Sequence, residues 1–370
     1  MKVAFDFQTF LDQQYGGVSR YFVELYKGFK GYADCKVSIP LAISKNEYLE
    51  ECGVKRCIPN NKLFFNRYTK KLYYQINKFF FKSDIRKNEY DIIHLTWNDP
   101  YLKCDGCKIV ATVHDMIHEL IFDKEADVNT KMEIENKKRI IYESDAIIAI
   151  SDHTKKDILT VYPDVPEEKI RVIHHGANIL PDAEDKLHFE LPERYMLYVG
   201  NRGLYKNANS MVEALSDLVK EEKNLYIFFA GGGEFTKNEE ELYSRLGIRN
   251  RIIQKRVTDS ELAYLYRNAI CFIFPSLYEG FGAPILEAFA KDCPVICTNR
   301  SSFPEIGGDA AAYYDPDDDC ALSDVVREVL YDDERRDELI RRGRERVKLF
   351  TYDLTCEKTY DLYRSLIYKS

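Results

Sequence analysis

The feature that most constrains this chain is a rhythm. Short apolar runs, each about as long as a strand, alternate with amphipathic stretches, and after residue 150 the series begins again. Such alternation encodes parallel sheets with crossover helices, because every parallel strand needs a long return connection and both sheet faces must be covered. The first series predicts strands at Lys2–Phe7, Lys36–Leu41, Ile92–Leu95, Ile109–Val113 and Ala146–Ile150. The second predicts Tyr195–Val199, Leu225–Ala230, Arg251–Gln254, Cys271–Phe274 and Val295–Cys297. The chain has 370 residues, enough for two cores at about 100 to 200 residues per domain. The expected architecture is α/β with two domains, residues 1–175 and 195–350, joined by a linker at 176–194 that carries two prolines and lacks periodicity. A last helix within 351–370 has an apolar face that must cover something, and it is expected to cross back to the first domain.

Charge narrows the function classes. The net charge is −8, and the acidic excess falls almost entirely after residue 180, which disfavours a nucleic-acid binder. No apolar run is long enough to span a bilayer, and MKVAFDFQTF reads as a strand rather than a secretion signal, so a soluble, cytoplasmic protein is expected. The ten cysteines are scattered, several inside apolar strands such as Cys271 and Cys297, and read as buried reduced thiols. The one CxxC, Cys104 to Cys107, lacks a second pair or nearby histidines and reads as a turn around Asp105-Gly106 rather than a metal site.

The chemistry concentrates where strands end. After Cys271–Phe274 comes SLYEGFGAPILEAFAKDCPVICTN, in which Gly280 and Gly282 let the loop bend and Pro284 suits the first turn of the next helix. Amides at such a helix start favour an anion. Glu279 lies before the loop and Glu287 inside the helix, so the two should face different parts of one long ligand, unlike the paired carboxylates that flank one bond in a glycoside hydrolase. Taken singly, each also reads as an ordinary solvated acid. After Tyr195–Val199 comes GNRGLYKN, where Arg202 and Lys206 can hold a diphosphate at the carboxyl edge of a parallel sheet, or can be two solvated cations. Gly16 and Gly17 follow the first strand without the GxGxxG spacing, leaving a phosphate-facing loop or a simple tight turn. His114 and Asp115 end the strand Ile109–Val113, at the edge where active-site groups stand.

One stretch runs against the acidic whole. Residues 62–87 carry eight basic residues and one acid. Phe65, Tyr68, Leu72, Ile76 and Phe79 recur there at helical spacing, which predicts a helix with an aromatic core face and a basic outer face. Contact with an anionic membrane is the competing reading, because peripheral binding uses the same mixture.

These clusters, in this order, resemble glycosyltransferase family 4, and within it bacterial mannosyltransferase-like members that build surface polysaccharides. The likeness covers almost the whole chain and is strongest in GGVSRYFVEL, TVHDMIHEL, YVGNRGLYKN, YEGFGAPILEAFAKDCPVI and SSFPEIGGDAAAYYDP. The resemblance implies a GT-B fold of two Rossmann-like domains, acceptor in the first and donor in the second, with retention of configuration and neither metal nor cofactor. It implies Glu279 on the donor sugar, Glu287 on the ribose, Arg202 and Lys206 on the diphosphate, and His114 near the reacting sugar. It further implies that the amides around Phe281, Gly282 and Ala283 approach the diphosphate or sugar, that Arg256 and Val257 border the base, and that Gly16 and Gly17 line the donor. The implied partners are a nucleotide sugar, GDP-mannose before UDP-sugars, and a glycan or lipid-linked acceptor. The tract IHHGAN departs from the Asn-Gly-Val turn of many relatives. A sugar-nucleotide epimerase and a non-catalytic sugar-nucleotide-binding subunit are the alternatives.

Overall fold

The computed structural model describes residues 1–54, 65–97, 106–122, 127–178, 180–181 and 187–368. It forms two compact units, Met1–Gly176 together with Tyr352–Ser370, and Ala177–Thr351.

The first unit is a six-stranded sheet of β1 (Lys2–Phe5), β2 (Lys36–Ser38), β3 (Ile92–Leu95), β4 (Lys108–Val113), β5 (Ala146–Ala149) and β6 (Ile170–Val172), in the order β2-β1-β3-β4-β5-β6. Every pairing is parallel. The second is built from β7 (Arg194–Val199), β8 (Leu225–Ala230), β9 (Ile252–Lys255), β10 (Cys271–Phe274), β11 (Val295–Thr298) and β12 (Ala311–Tyr314), again all parallel, in the order β12-β11-β10-β7-β8-β9. Central strands such as β3, β5 and β10 are buried along their whole length, as a sheet covered on both faces requires. In each sheet the crossovers leave the first strand in both directions, which puts the topological switch point, where open parallel sheets take their ligands, beyond the carboxyl ends of β1 and β3 in one unit and of β7 and β10 in the other.

The strands differ from expectation at edges. β1 stops at Phe5; the Asp6 N–H still donates to the His94 carbonyl at 3.2 Å, and the buried Asp6 carboxylate accepts from Gln8 N, Gln8 Nε2, Thr96 N and Thr96 Oγ1 at 2.6–2.9 Å. β6 and β12 are strands that the apolar pattern did not predict. Both lie at sheet edges; IRV is three residues with an exposed Arg171, and AAYY opens on alanines rather than β-branched residues.

Helix Tyr352–Ile367 belongs to the first unit and packs on helix Gly17–Phe29. Tyr363 is fully buried, stacks on Phe29 at 5.7 Å and shares a 2.6 Å hydrogen bond with His94 Nδ1. Gly28 permits this approach, since a Cβ there would collide with Cys356 Sγ.

Helix Arg67–Asn88 forms as the basic segment predicts, opened by a capping box of Asn66 and Thr69; residues 62–64 fall outside the described part. Its inward face is not the expected one. Phe65 packs on the core, but Tyr68 is 82%, Leu72 58% and Phe79 79% exposed, with Ile76 also at the surface. The segment carries two apolar stripes, and the buried one runs through Tyr73, Tyr74, Asn77, Phe81 and Ile85. Asn77 decides the choice: its amide takes the N–H groups of Ala42 and Ile43 and gives a 2.7 Å hydrogen bond to the Ile43 carbonyl. Among the described residues no helix is long and apolar enough to cross a membrane. Six described cysteines are buried free thiols and Cys320 is exposed, whereas Cys107 is in a disulfide, a correction to the reading of uniformly reduced sulfurs. Cys104, the other half of the CxxC, lies outside the described residues.

Candidate functional site

In the second unit the loops that leave β7 and β10 meet at the switch point. Gly200, at φ 110°, turns the chain out of β7 into a short 3-10 turn, Leu204–Lys206. The Tyr205 carbonyl accepts from Leu277 N at 2.8 Å, which stitches this loop to the one after β10. Lys206 Nζ and Glu279 Oε1 form an ion pair, with side chains 16% and 18% exposed. The Glu279 backbone is anchored in turn by Ser301, whose Oγ accepts from Glu279 N at 3.0 Å and donates to its carbonyl. Ser302 Oγ reaches the carbonyls of Glu279 and Phe281. The loop then enters helix Ala283–Phe289 through Gly282, which sits at φ 97° with the Phe303 ring 3.1 Å from where a Cβ would stand. Glu287 occupies the second turn, 3.5 Å from the hydroxyl of the fully buried Tyr266.

Arg202 and Lys206, expected as equal members of a cationic pair, occupy different surroundings. The Arg202 side chain is 5% exposed. Its Nε donates to Glu239 Oε1 at 2.6 Å, its Nη2 to the carbonyls of Gly233 and Glu234, and Phe235 stacks beneath it at 4.8 Å. Glu239 also closes the capping box of helix Lys237–Arg245 with Thr236. Burial alone would raise the Glu239 carboxyl, yet the Arg202 and Thr236 bonds hold it below the usual range. Among the described residues, Nη1 of Arg202 has no hydrogen-bond partner. It lies against Gly232, where a Cβ would come within 2.6 Å of it, and Gly231, Gly232 and Gly233 all have positive φ. Arg256 is exposed and Val257 half-buried just beyond β9, whose last carbonyl, on Lys255, accepts from Gly231 N at 2.8 Å.

In the first unit, Gly16 is the residue before helix Gly17–Phe29, with its carbonyl held by Ser19 Oγ at 3.0 Å, and no described atom lies within 4 Å of where a Cβ on Gly17 would stand. His114 leaves β4 and is half-buried, with its Nε2 shielded from solvent. Its Nδ1 lies 3.4 Å from His175 Nε2, while its Nε2 has no partner among the described residues. Burial drives its pKa down to about 4, so it is a neutral imidazole near pH 7. Lys137, itself buried, fixes the next residue by donating to the Asp115 carbonyl at 3.1 Å and pairing with Glu119 at 3.0 Å.

Sequence reasoning missed Glu239, Lys137, His175 and Asp6. T-x-x-E at Thr236–Glu239 signals a capping box but not the arginine it would hold. The doubled histidine of IHHGAN was a visible oddity whose partner lies 61 residues away.

Residues 15–179 match the family model described as Glycosyltransferase Family 4, and residues 181–346 the one described as Glycosyl transferases group 1. O-antigen chain mannosyltransferase B of Escherichia coli is 30% identical over 236 residues, 60% of each chain. O-antigen chain mannosyltransferase RfbU of Salmonella typhimurium is 28% identical over 178 residues, 48% of this chain and 49% of that one. The chain thus spans about half the length of these relatives. Among solved structures, sucrose-phosphate synthase from Thermosynechococcus elongatus superposes with a TM-score of 0.77 at 20% identity, covering 100% of both chains. Anabaena HepE, in complex with UDP and glucose, gives 0.72 at 16% identity, covering 99% of both. At these identities the structures show the fold, which is GT-B.

Proposed function

Because the chain belongs to glycosyltransferase family 4, we propose that it transfers a sugar, with retention, from a nucleotide-diphosphate donor to a hydroxyl of a glycan or lipid-linked acceptor. The Lys206–Glu279 pair at the β7/β10 switch point carries this reading. In the free protein the two charges neutralise each other. An arriving diphosphate draws Lys206 away and leaves the Glu279 carboxylate for the hydroxyls of the sugar, so one ligand satisfies both ends of the broken pair. Arg202 offers the diphosphate its Nη1 nitrogen. Glu287 binds the ribose hydroxyls, the amides of Phe281, Gly282 and Ala283 face the diphosphate, and Arg256 and Val257 border the base. Gly16 and Gly17 bring backbone close to the donor from the first unit, which receives the acceptor.

The acceptor oxygen attacks the anomeric carbon from the face that the diphosphate leaves. The bond from that carbon to the phosphate oxygen breaks, the new glycosidic bond forms, and the acceptor's proton passes to the departing oxygen. Lys206 and Arg202 stabilise the negative charge as it develops. The mannosyltransferase names of the curated relatives favour mannose, and GDP-mannose is the proposed donor. A thermal-shift panel of GDP, UDP, GDP-mannose and UDP-glucose tests this directly, since a ligand stabilises by mass action. GDP and GDP-mannose should raise the Tm most, and no response to any of the four would sink the donor class. NMR of the first-formed product should show a retained anomeric centre. Near-wild-type transfer by both Glu279→Ala and Arg202→Ala would refute the site.

The exposed stripe Tyr68, Leu72, Ile76 and Phe79, on a helix with Lys70, Lys71, Lys78 and Lys82, supports a second element of the reading, peripheral docking on the anionic cytoplasmic face of a membrane. Vesicles containing anionic lipid should cosediment the wild type and release Leu72→Glu/Phe79→Glu. Equal recovery of both with neutral vesicles would remove this element.

A further inference from the structure

Two histidines of the first unit, His94 and His175, are buried and a third, His114, is half-buried; His94 is accounted for, since Nδ1 meets the Tyr363 hydroxyl at 2.6 Å and Nε2 meets Thr112 Oγ1 at 2.7 Å. His114 and His175 are joined to each other instead, Nδ1 of the first to Nε2 of the second, at 3.4 Å. This is a long hydrogen bond of the kind that tightens when a site fills. The turn that carries His175 is held independently of that contact. Thr355 Oγ1 donates to the His174 carbonyl at 2.9 Å, and Gly176 lets Tyr352 pack where any side chain would collide with its ring and backbone nitrogen. The Tyr21 ring lies over His175 at a centroid separation of 4.3 Å. The backbone that carries His175 is therefore held by Thr355 and Tyr352, while Tyr21 flanks both rings, over His175 and edge-on to His114 at 5.5 Å.

Because both rings are neutral, one proton occupies their shared contact, and the tautomers of the two are coupled. If His175 donates from Nε2, both rings carry their proton on Nε2, the more stable tautomer of a free imidazole side chain. If His114 donates from Nδ1, both are forced into the less stable form. We propose that His175 is a positioning residue that, by donating to His114 Nδ1, fixes His114 with its proton on Nε2. The inference rests on the reading of His114 as the group that meets the reacting sugar. His114 Nε2 then presents an N–H where no described residue accepts it, and a sugar oxygen completes the bond. The opposite tautomer would present a lone pair there, able to accept from a hydroxyl but unable to donate.

The test is a long-range proton–nitrogen NMR spectrum of the imidazoles of the full chain, whose seven histidines are few enough to assign His114 by its loss in His114→Gln. In the wild type, His114 should show a bare Nδ1 and a protonated Nε2. His175→Phe keeps the ring's bulk under Tyr21 and removes the donor, so His114 should move to a tautomer mixture and kcat should fall about tenfold to a hundredfold with KM for the donor nearly unchanged. His175→Gln, whose amide can donate from about the place of Nε2, should recover both signals in large part. A protonated Nδ1 on His114 in the wild type, or an unchanged His114 spectrum in His175→Phe, would overturn the proposal, whatever the activity. A shifted spectrum with undiminished transfer would instead reject the assignment of His114 to the reacting sugar, and with it any part for His175 in transfer.

Discussion

The two units share a design of six parallel strands but take different polar groups out of water. The first buries Asp6, His94 and His175 and half-buries His114, and apart from the Lys137–Glu119 pair the described part of its interior depends mainly on hydrogen bonds of the Asp6 carboxyl, the Asn77 amide, neutral imidazoles and hydroxyls. Six of the seven histidines of the chain lie in it. The second keeps its charges as ion pairs, Arg202 with Glu239 and Lys206 with Glu279, both at the ends of strands that face the proposed donor. A neutral buried group responds to proton concentration. A paired charge responds to the loss of its partner.

The contrast should break most sharply at Arg202. Arg202→Ala strands Glu239 in a site where its side chain is 7% exposed, and breaking such a pair costs about 3–5 kcal/mol. Calorimetry should show the second unit losing stability, and the double substitution Arg202→Met/Glu239→Leu should recover most of it; equal stability of Arg202→Ala and wild type would mean the pair is not buried in solution. Lys206→Ala should spare the fold and reduce kcat by about a hundredfold to a thousandfold, as the loss of one preorganised group does. An unfolded Lys206→Ala would assign that pair to structure instead. Gly28→Ala and Gly343→Ala make a matched comparison of packing. The added Cβ meets Cys356 Sγ in the first unit and lies 2.8 Å from the Phe289 ring in the second, so each should lose about 1–3 kcal/mol by overpacking. Urea midpoints read on each variant would show which interior yields.

Acid provides the finest test. Burial lowers His94 to about 3 and His114 to about 4, and His175 well below its ordinary value. Each stays neutral in the fold and gains a proton on unfolding below about pH 6.5. Their contribution is therefore complete above that pH and erodes as pH falls toward 4, by up to about 1.4 kcal/mol per pH unit for each ring. Asp6, pushed up to about 6 by burial, works the other way in part of the window. Trp97, the single tryptophan, lies in the first unit, so its fluorescence should report an acid transition that His94→Gln makes shallower. No change in slope would remove His94 from the account.

The fold was legible wherever burial imposes a pattern. Strands buried on both faces, such as IIHL and CFIF, can hardly be read otherwise. Edge strands β6 and β12 escaped because an edge tolerates an arginine or a run of alanines. The face of helix Arg67–Asn88 was misread for a related reason: periodicity identifies a stripe, and only a partner such as the loop that Asn77 holds says which stripe is inward. Of the candidate site, the positions at strand ends were visible, since topology alone puts them at the switch point. Pairings were not. Lys206 meets Glu279 across 73 residues and Arg202 meets Glu239 across 37, distances that no spacing rule covers.

Helix Tyr352–Ile367 has a consequence for the making of the protein. The sheet that it completes is synthesised first, yet Tyr363, which fills that core and satisfies His94, is added only after all of the second unit has been made. Domains tend to fold in the order of synthesis, but here the earlier one waits with an open apolar groove and an unmet histidine while the later one can fold and close. The nascent chain is most exposed to aggregation in that interval, and it is during translation, rather than in the finished molecule, that the first unit has most need of a chaperone.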